Sequence, residues 1–188
     1  GETPIGLFAI GDEVRPDAAA SIVALTALGV KAVMVTGDNP VAANAMAKAV
    51  GIGAVEAGIL PEGKAAIVSR YQSDGLVAMV GDGVNDAPAL AEADVGIAIG
   101  TGADVALETA DFALLRPEPM LVADALHLSR KIWSTLRQGL FWAMIYNLVG
   151  IPLAAFGVLS PMVAGAAMAA SSVCVLGNAL RLTRWRPA

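Results

Sequence analysis

Residues 77–90 read Val-Ala-Met-Val-Gly-Asp-Gly-Val-Asn-Asp-Ala-Pro-Ala-Leu. The apolar run Val77–Val80 predicts a short strand, and Gly81–Pro88 a turn of small residues carrying two carboxylates and an amide. A helix over 86–93 follows at once. A second strand, Ala32–Val35, is succeeded by Thr36-Gly37-Asp38-Asn39 and a helix over 40–50. Working outward, Gly6–Ile10, Gly96–Ile99 and Asp111–Leu115 predict further strands. Stretches 17–28, 62–73 and 103–109 predict further helices, and 119–134 one more. Apolar strands alternating with helices imply a parallel α/β sheet covered on both faces. In such sheets ligands gather beyond the carboxyl ends of the strands, where both turns lie.

The 188 residues are 56% hydrophobic and 15% charged, with a net charge of −5. That composition excludes a disordered chain, and the negative charge excludes nucleic-acid binding by phosphate neutralisation. The single cysteine excludes an internal disulfide. Charge is distributed unevenly. Residues 1–137 carry all 17 acids against nine bases, and residues 138–188 carry three arginines and no acid. Between Arg137 and Arg181 stand 43 residues without Asp, Glu, Lys, Arg or His. About 20 apolar residues span a hydrocarbon core, so this stretch suits two crossings, about 138–156 and 162–180, joined at Gly157–Pro161. The alternative is a buried helical hairpin of a soluble protein, which rarely runs uncharged at such length. Bases flank both ends (Arg130, Lys131 and Arg137; Arg181, Arg184 and Arg186), which sets both ends in the cytoplasm. The expected organisation is an α/β domain over 1–118, a linking helix over 119–137, the membrane hairpin over 138–180 and a tail over 181–188. Glu2, Asp12 and Glu13 argue against a signal peptide, and Gly1 in place of Met makes a piece of a longer chain the expectation.

Both acidic turns open onto helices whose free N–H groups favour an anion. Asp82 and Asp86 offer two hard oxygen ligands four residues apart, which suits Mg²⁺. Between the turns, Pro61-Glu62-Gly63-Lys64 puts a lysine in the first turn of a helix, against the favoured dipole sign, which points to a bound anion. A hydroxyl, an ammonium, backbone amides and a Mg²⁺-binding carboxylate together suit phosphoryl transfer. Singly these features also read as a plain turn at Thr36, a solvated surface base at Lys64 and a helix cap at Asp86.

Thr-Gly-Asp-Asn at 36–39, Pro-Glu-Gly-Lys at 61–64 and Gly-Asp-Gly-Val-Asn-Asp-Ala-Pro-Ala-Leu at 81–90 resemble the P-type ATPases in order and spacing. They match the second half of that family's phosphorylation domain, a haloacid-dehalogenase-like Rossmannoid fold. Asp12-Glu13-Val14-Arg15-Pro16 resembles the return from its nucleotide-binding domain. The resemblance implies that Thr36, Gly37, Lys64 and Asn85 contact the phosphoryl group of an ATP-derived aspartyl phosphate, with Asp38 and Asp86 in the same catalytic set. It implies Asp82 as the main Mg²⁺ ligand, supported by Asp86. The family's phosphorylated Asp, in Asp-Lys-Thr-Gly-Thr, is absent, as are its Thr-Gly-Glu loop, Ser-Glu-His-Pro and Cys-Pro-Cys. The expectation is a C-terminal part of a pump that depends on its missing N-terminal part and, alone, neither hydrolyses ATP nor transports.

The uncharged hairpin bears on the ion. Its first helix carries Tyr146, Asn147 and Pro152, and its second Met168, Ser171, Ser172, Cys174 and Asn178. Ca²⁺, Na⁺ or Zn²⁺ would call for anionic oxygens, whereas thioether, thiol and neutral oxygen suit Cu⁺ or Ag⁺. Tyr-Asn with a proline five positions after the Asn, then Met-x-x-Ser-Ser, resembles the copper-exporting branch of the heavy-metal P-type ATPases. The resemblance implies Cu⁺ ligation by Tyr146, Asn147, Met168 and Ser171, with Ser172 adjacent. Packing is the other reading of Met168 and the serines. It also implies an integral protein of a bacterial cell membrane, with copper donor or acceptor proteins as further partners. Gly139 departs from the family's usual Asn. The competing functions are a membrane-tethered haloacid-dehalogenase-like phosphatase and a non-catalytic module.

Overall fold

The computed structural model describes residues 13–81, 84–100, 108–157 and 160–185. The strand expected over 6–10, Asp82 and Gly83, most of the helix expected over 103–109, and Val158 and Leu159 of the turn lie outside these residues. The chain divides into two compact units, Gly1–Ala123 and Asp124–Ala188.

In the first unit, helices alternate with strands: α1 (Ala18–Ala27), β1 (Val33–Val35), α2 (Pro40–Val50), β2 (Ala54–Glu56), α3 (Pro61–Gln72), β3 (Ala78–Gly81), α4 (Ala87–Glu92), β4 (Val95–Ile99) and β5 (Phe112–Leu114). A 3-10 turn over Val84–Asp86 leads into α4. All strand pairs are parallel, as the alternating pattern requires. The single sheet expected from sequence is instead two ladders among the described residues, β1–β2 and β3–β4–β5. Among the described residues, β1 and β3, which carry the two small-residue turns, each pair on one side only.

Local chemistry sets the boundaries. The Asn39 side chain accepts from the N–H groups of Val41 and Ala42, both at 3.0 Å, and Pro40 occupies the first helical position of α2. Gly51 ends that helix in the left-handed region, at φ 86°. Carboxylates secure the starts of two strands: Asp94 accepts from the Val77 N–H and Asp111 from the Gly96 N–H, each at 2.8 Å. β2 was not predicted. It is three residues long, and its register, Val33 opposite Ala54, comes from pairing with β1. Its last residue, Glu56, ion-pairs with Arg70 and accepts from the Tyr71 hydroxyl at 3.1 Å, which ties β2 to α3.

The core is built largely of small residues: Ala43, Ala47, Ala89 and Ala98 are buried, and Leu90 is the largest fully buried apolar side chain. β4 is buried over Gly96, Ile97 and Ala98 because it lies between two strands with α4 packed on it. A Cβ on Gly96 would stand 2.7 Å from the Leu90 carbonyl oxygen and 3.2 Å from its carbon, a backbone that cannot rotate aside. Gly96→Ala is therefore expected to destabilise this unit by about 2 kcal/mol, an overpacking effect. A lower urea midpoint with unchanged slope is the measurement; an unchanged midpoint would show that α4 gives way freely.

The second unit holds two long helices. α5 runs Met120–Ala155 without a break, 36 residues, and α6 runs Pro161–Leu180, 20 residues. The separate helices expected over 119–134 and 138–156 are thus one. The loss of charge after Arg137 changes what the helix surface favours, not its backbone, and no proline occurs in α5 before Pro152. At 1.5 Å per residue, α5 is about 54 Å long and α6 about 30 Å. Both are long and apolar enough to cross a membrane. Ser160 caps α6 by accepting from the Val163 N–H at 3.3 Å, with Pro161 first in the helix. The pair runs antiparallel: the Asn178 side-chain amide donates to the Thr135 carbonyl at 3.1 Å, Gly139 lies against Val175, and Tyr146 lies against Cys174. His127 is exposed and stands edge-on to Trp185, with ring centroids 6.3 Å apart.

Candidate phosphoryl and ion sites

The strand-end site is assembled around Ile59, in the loop between β2 and α3. Its N–H donates to the Thr36 carbonyl at 3.0 Å. Its carbonyl oxygen stands 3.4 Å from where a Cβ on Gly37 would sit, and its Cγ2 stands 3.2 Å from where one on Gly63 would sit. The Gly58 N–H adds a 2.8 Å bond to the Asp38 carbonyl. One loop thereby draws the Thr36-Gly37-Asp38 turn and the start of α3 together. Lys64, in the first turn of α3, reaches across to the other acidic turn: its Nζ lies 2.6 Å from Asp86 Oδ1. Both side chains are largely buried, at 16% and 11% exposure.

That pair decides two alternatives left open by the sequence. Lys64 is not a solvated surface base, because its ammonium is partnered and mostly withdrawn from water. Asp86 makes no side-chain cap to α4, so its carboxylate is committed to Lys64 and not to helix capping. Gly81, the last residue of β3, explains how Asp86 comes so near. A Cβ there would stand 2.7–2.9 Å from Asp86 Cβ, Cγ and Oδ2.

One expectation is corrected. The Val41 and Ala42 N–H groups of α2 are not open to an anion, because Asn39 already satisfies them. The Asn39-Pro40 pair is a helix-start signal and could have revealed this from sequence. At the same turn, the Thr36 hydroxyl donates to Asp38 Oδ2 at 2.9 Å and accepts from the Asp38 N–H at 3.1 Å. Asn85 is exposed within the 3-10 turn. Asp82, expected as the principal metal ligand, lies outside the described residues. Of the two expected Mg²⁺ ligands only Asp86 is among the described residues; its carboxylate is the hard oxygen type that suits Mg²⁺, and here it is paired with Lys64.

Along the helix pair, the expected ion ligands lie at overlapping depth. Tyr146 is beside Cys174, which lies three residues after Ser171 on α6. Ser172 donates to the Met168 carbonyl at 3.2 Å and Asn147 to the Ala143 carbonyl at 2.9 Å, so both lean on their own helices. Met168 is 74% exposed. The contact of Cys174 with Tyr146 depends on helix register that composition does not reveal.

Comparison with known proteins bears on both units. Residues 2–94 match the haloacid dehalogenase-like hydrolase family. Over 182 residues, 96% of this chain, it is 53% identical to copper-exporting P-type ATPases of Staphylococcus aureus strains JH9 and Newman. It spans 23% of the length of those relatives. Among solved structures, it resembles a zinc-transporting PIB-type ATPase in the E2.Pi state, with a TM-score of 0.86 and 42% identity. That match covers 93% of this chain and 29% of the other. The catalytic domain of a CPx-ATPase matches with a TM-score of 0.53 and 33% identity, over 58% of this chain and 44% of that one.

Proposed function

We propose that this chain, homologous to copper-exporting P-type ATPases and to PIB-type ATPase structures, supplies half of the phosphoryl site and part of the ion path of a Cu⁺ pump. The observation that carries the reading is the convergence on Ile59 and the Lys64–Asp86 pair, which brings three separated motifs to one end of the sheets. The chain contains no Asp-Lys-Thr-Gly-Thr. The strand bearing the nucleophilic Asp would come from another part of the pump, and the edges of β1 and β3 that have no partner among the described residues are the natural places to receive it.

In this reading the Thr36 hydroxyl turns from Asp38 to a phosphoryl oxygen, and the adjacent Gly37 lets backbone approach that oxygen closely. Lys64 contributes a fixed positive charge beside the phosphoryl group, and Asn85 a side-chain amide. Asp82 and Asp86 would hold Mg²⁺, which when bound offsets the charge on the transferring phosphoryl oxygens. Asp86 also fixes the position of Lys64, and the pair keeps water from solvating the ammonium.

For the transported ion, the relatives are divided: the sequence relatives are described as copper-exporting and one solved structure as zinc-transporting. The two helices here favour Cu⁺, or Ag⁺. They have no carboxylate from 138 to 180, and they offer Met168, Tyr146, Asn147, Ser171 and Ser172, a soft and neutral ligand set. The protein would then lie in the cell membrane, with its phosphorylation domain and C-terminus in the cytoplasm.

Met168→Leu tests this in the intact pump. Side-chain volume changes little, so packing is retained, while the sulfur is lost. Cu⁺-stimulated ATP hydrolysis is expected to fall about tenfold or more, while phosphorylation from inorganic phosphate survives. Unchanged Cu⁺ stoichiometry and turnover would assign Met168 to packing and remove the direct support for copper.

A further inference from the structure

We propose that the face of α5 from Arg130 to Trp142 binds the phosphate headgroup of an anionic glycerophospholipid. Arg130, Trp133, Ser134, Arg137, Gln138 and Trp142 lie on one helical face and line a cavity of about 470 Å³. Arg137 is the last charged residue before the 43 uncharged ones, so this face sits where charge gives way to apolar helix. The inference rests on the reading that α5 enters a membrane there.

Charge complementarity identifies the occupant. Among the described residues the ion pairs are Lys64–Asp86, Arg70–Glu56 and Arg116–Glu118, so neither Arg130 nor Arg137 has a carboxylate partner. No acid follows Asp124 in the sequence. In a protein of net charge −5, this leaves an unbalanced positive face. Arginine presents a planar fork of donors that matches phosphate oxygens. Arg130 and Arg137, seven residues apart, are separated along the helix by about 10.5 Å, which lets their flexible side chains converge on one headgroup. On the same face Gln138 donates to the Ser134 hydroxyl at 3.5 Å, and the two add neutral hydrogen-bonding groups. Trp133 and Trp142 are 64% and 47% exposed, and large indoles at such a level favour the headgroup region. A zwitterionic headgroup carries the phosphate but also a cation that the two arginines repel, so the preference is for net negative lipid.

The test places the 188-residue chain in phosphatidylcholine nanodiscs doped with phosphatidylglycerol. Native mass spectrometry reads the lipids retained, and Trp185→Phe leaves Trp133 and Trp142 as reporters of quenching by acyl-brominated lipid. Phosphatidylglycerol is expected to be retained about tenfold over phosphatidylcholine, in line with basic residues near an anionic surface. Arg130→Gln with Arg137→Gln should abolish the preference while quenching by brominated phosphatidylcholine persists, which shows that the variant is still inserted. Arg130→Lys with Arg137→Lys, which keeps the charge, should retain part of the preference. Equal retention of the two lipids by the unsubstituted chain would overturn the proposal, as would displacement of the lipid by millimolar inorganic phosphate. Failure of the chain to insert in either disc would instead remove the membrane reading, and this proposal with it. In the longer pump, loss of all lipid quenching at these tryptophans would show that another helix covers the face and would also overturn it.

Discussion

Lys64→Ala is expected to destabilise the first unit by about 3 kcal/mol, because it leaves a buried carboxylate without its partner. Lys64 Nζ and Asp86 Oδ1 are 2.6 Å apart, and the Asp86 residue is only 8% exposed. With the ammonium gone, the Asp86 carboxylate must either draw in water or open the packing between α3 and α4. Both are unfavourable beside buried Ala87, Ala89 and Leu90. The measurement is the urea midpoint of the chain in detergent, followed by far-UV circular dichroism. A double variant separates the pair from its members: Lys64→Met with Asp86→Asn removes both charges and is expected to recover most of the lost stability. In the intact pump Lys64→Ala should also lower turnover, by about 10²-fold if the ammonium stabilises the transferring phosphoryl group. The double variant should not recover turnover, since neither charge is restored. An unchanged midpoint in Lys64→Ala would mean that the pair behaves as an exposed one.

The second large effect is expected at Gly81. A methyl group there would stand 2.7 Å from Asp86 Cβ, 2.8 Å from Oδ2 and 2.9 Å from Cγ. These atoms cannot turn away freely, because Asp86 is held by Lys64 and is the last residue of the 3-10 turn. Gly81→Ala is expected to shift Asp86 and lengthen the ion pair, at about 2 kcal/mol of stability. It should also abolish most phosphoenzyme formation in the intact pump, since Asp86 is displaced from Lys64. Gly37→Ala is the control. Its Cβ would meet only the Ile59 carbonyl oxygen, at 3.4 Å, so folding should change by less than about 1 kcal/mol. A loss of phosphoenzyme in Gly37→Ala without loss of stability would therefore report on ligand approach. A Gly81→Ala chain with normal stability and normal phosphoenzyme would show that β3 and its turn are less closely packed than their atoms indicate.

Some of this molecule was legible along the chain. α2 could be read to the residue, because Asn39-Pro40 and Gly51 are strong local signals at its two ends. β3 and β4 were legible as short apolar runs bounded by Gly or Asp. β2 was not legible, since Ala54-Val55-Glu56 has neither the length nor the alternation of a strand and is extended only because β1 pairs with it. The boundary placed at residue 138 marked a change of environment, and the helix continues through it.

Composition and pattern by themselves determined the parallel α/β class, the uncharged stretch long enough for two membrane helices, and the order of the three motifs. These follow from local preference and from solvent partition, both written into successive residues. Tertiary structure decided what the motif residues do to one another. Lys64 meets Asp86 across 22 positions, Ile59 binds the Thr36 turn, Asn39 closes the α2 amides, and Tyr146 meets Cys174 through helix register. Such contacts depend on how loops close and which faces pack, so the side chains that share a site are known only when the chain has folded back on itself.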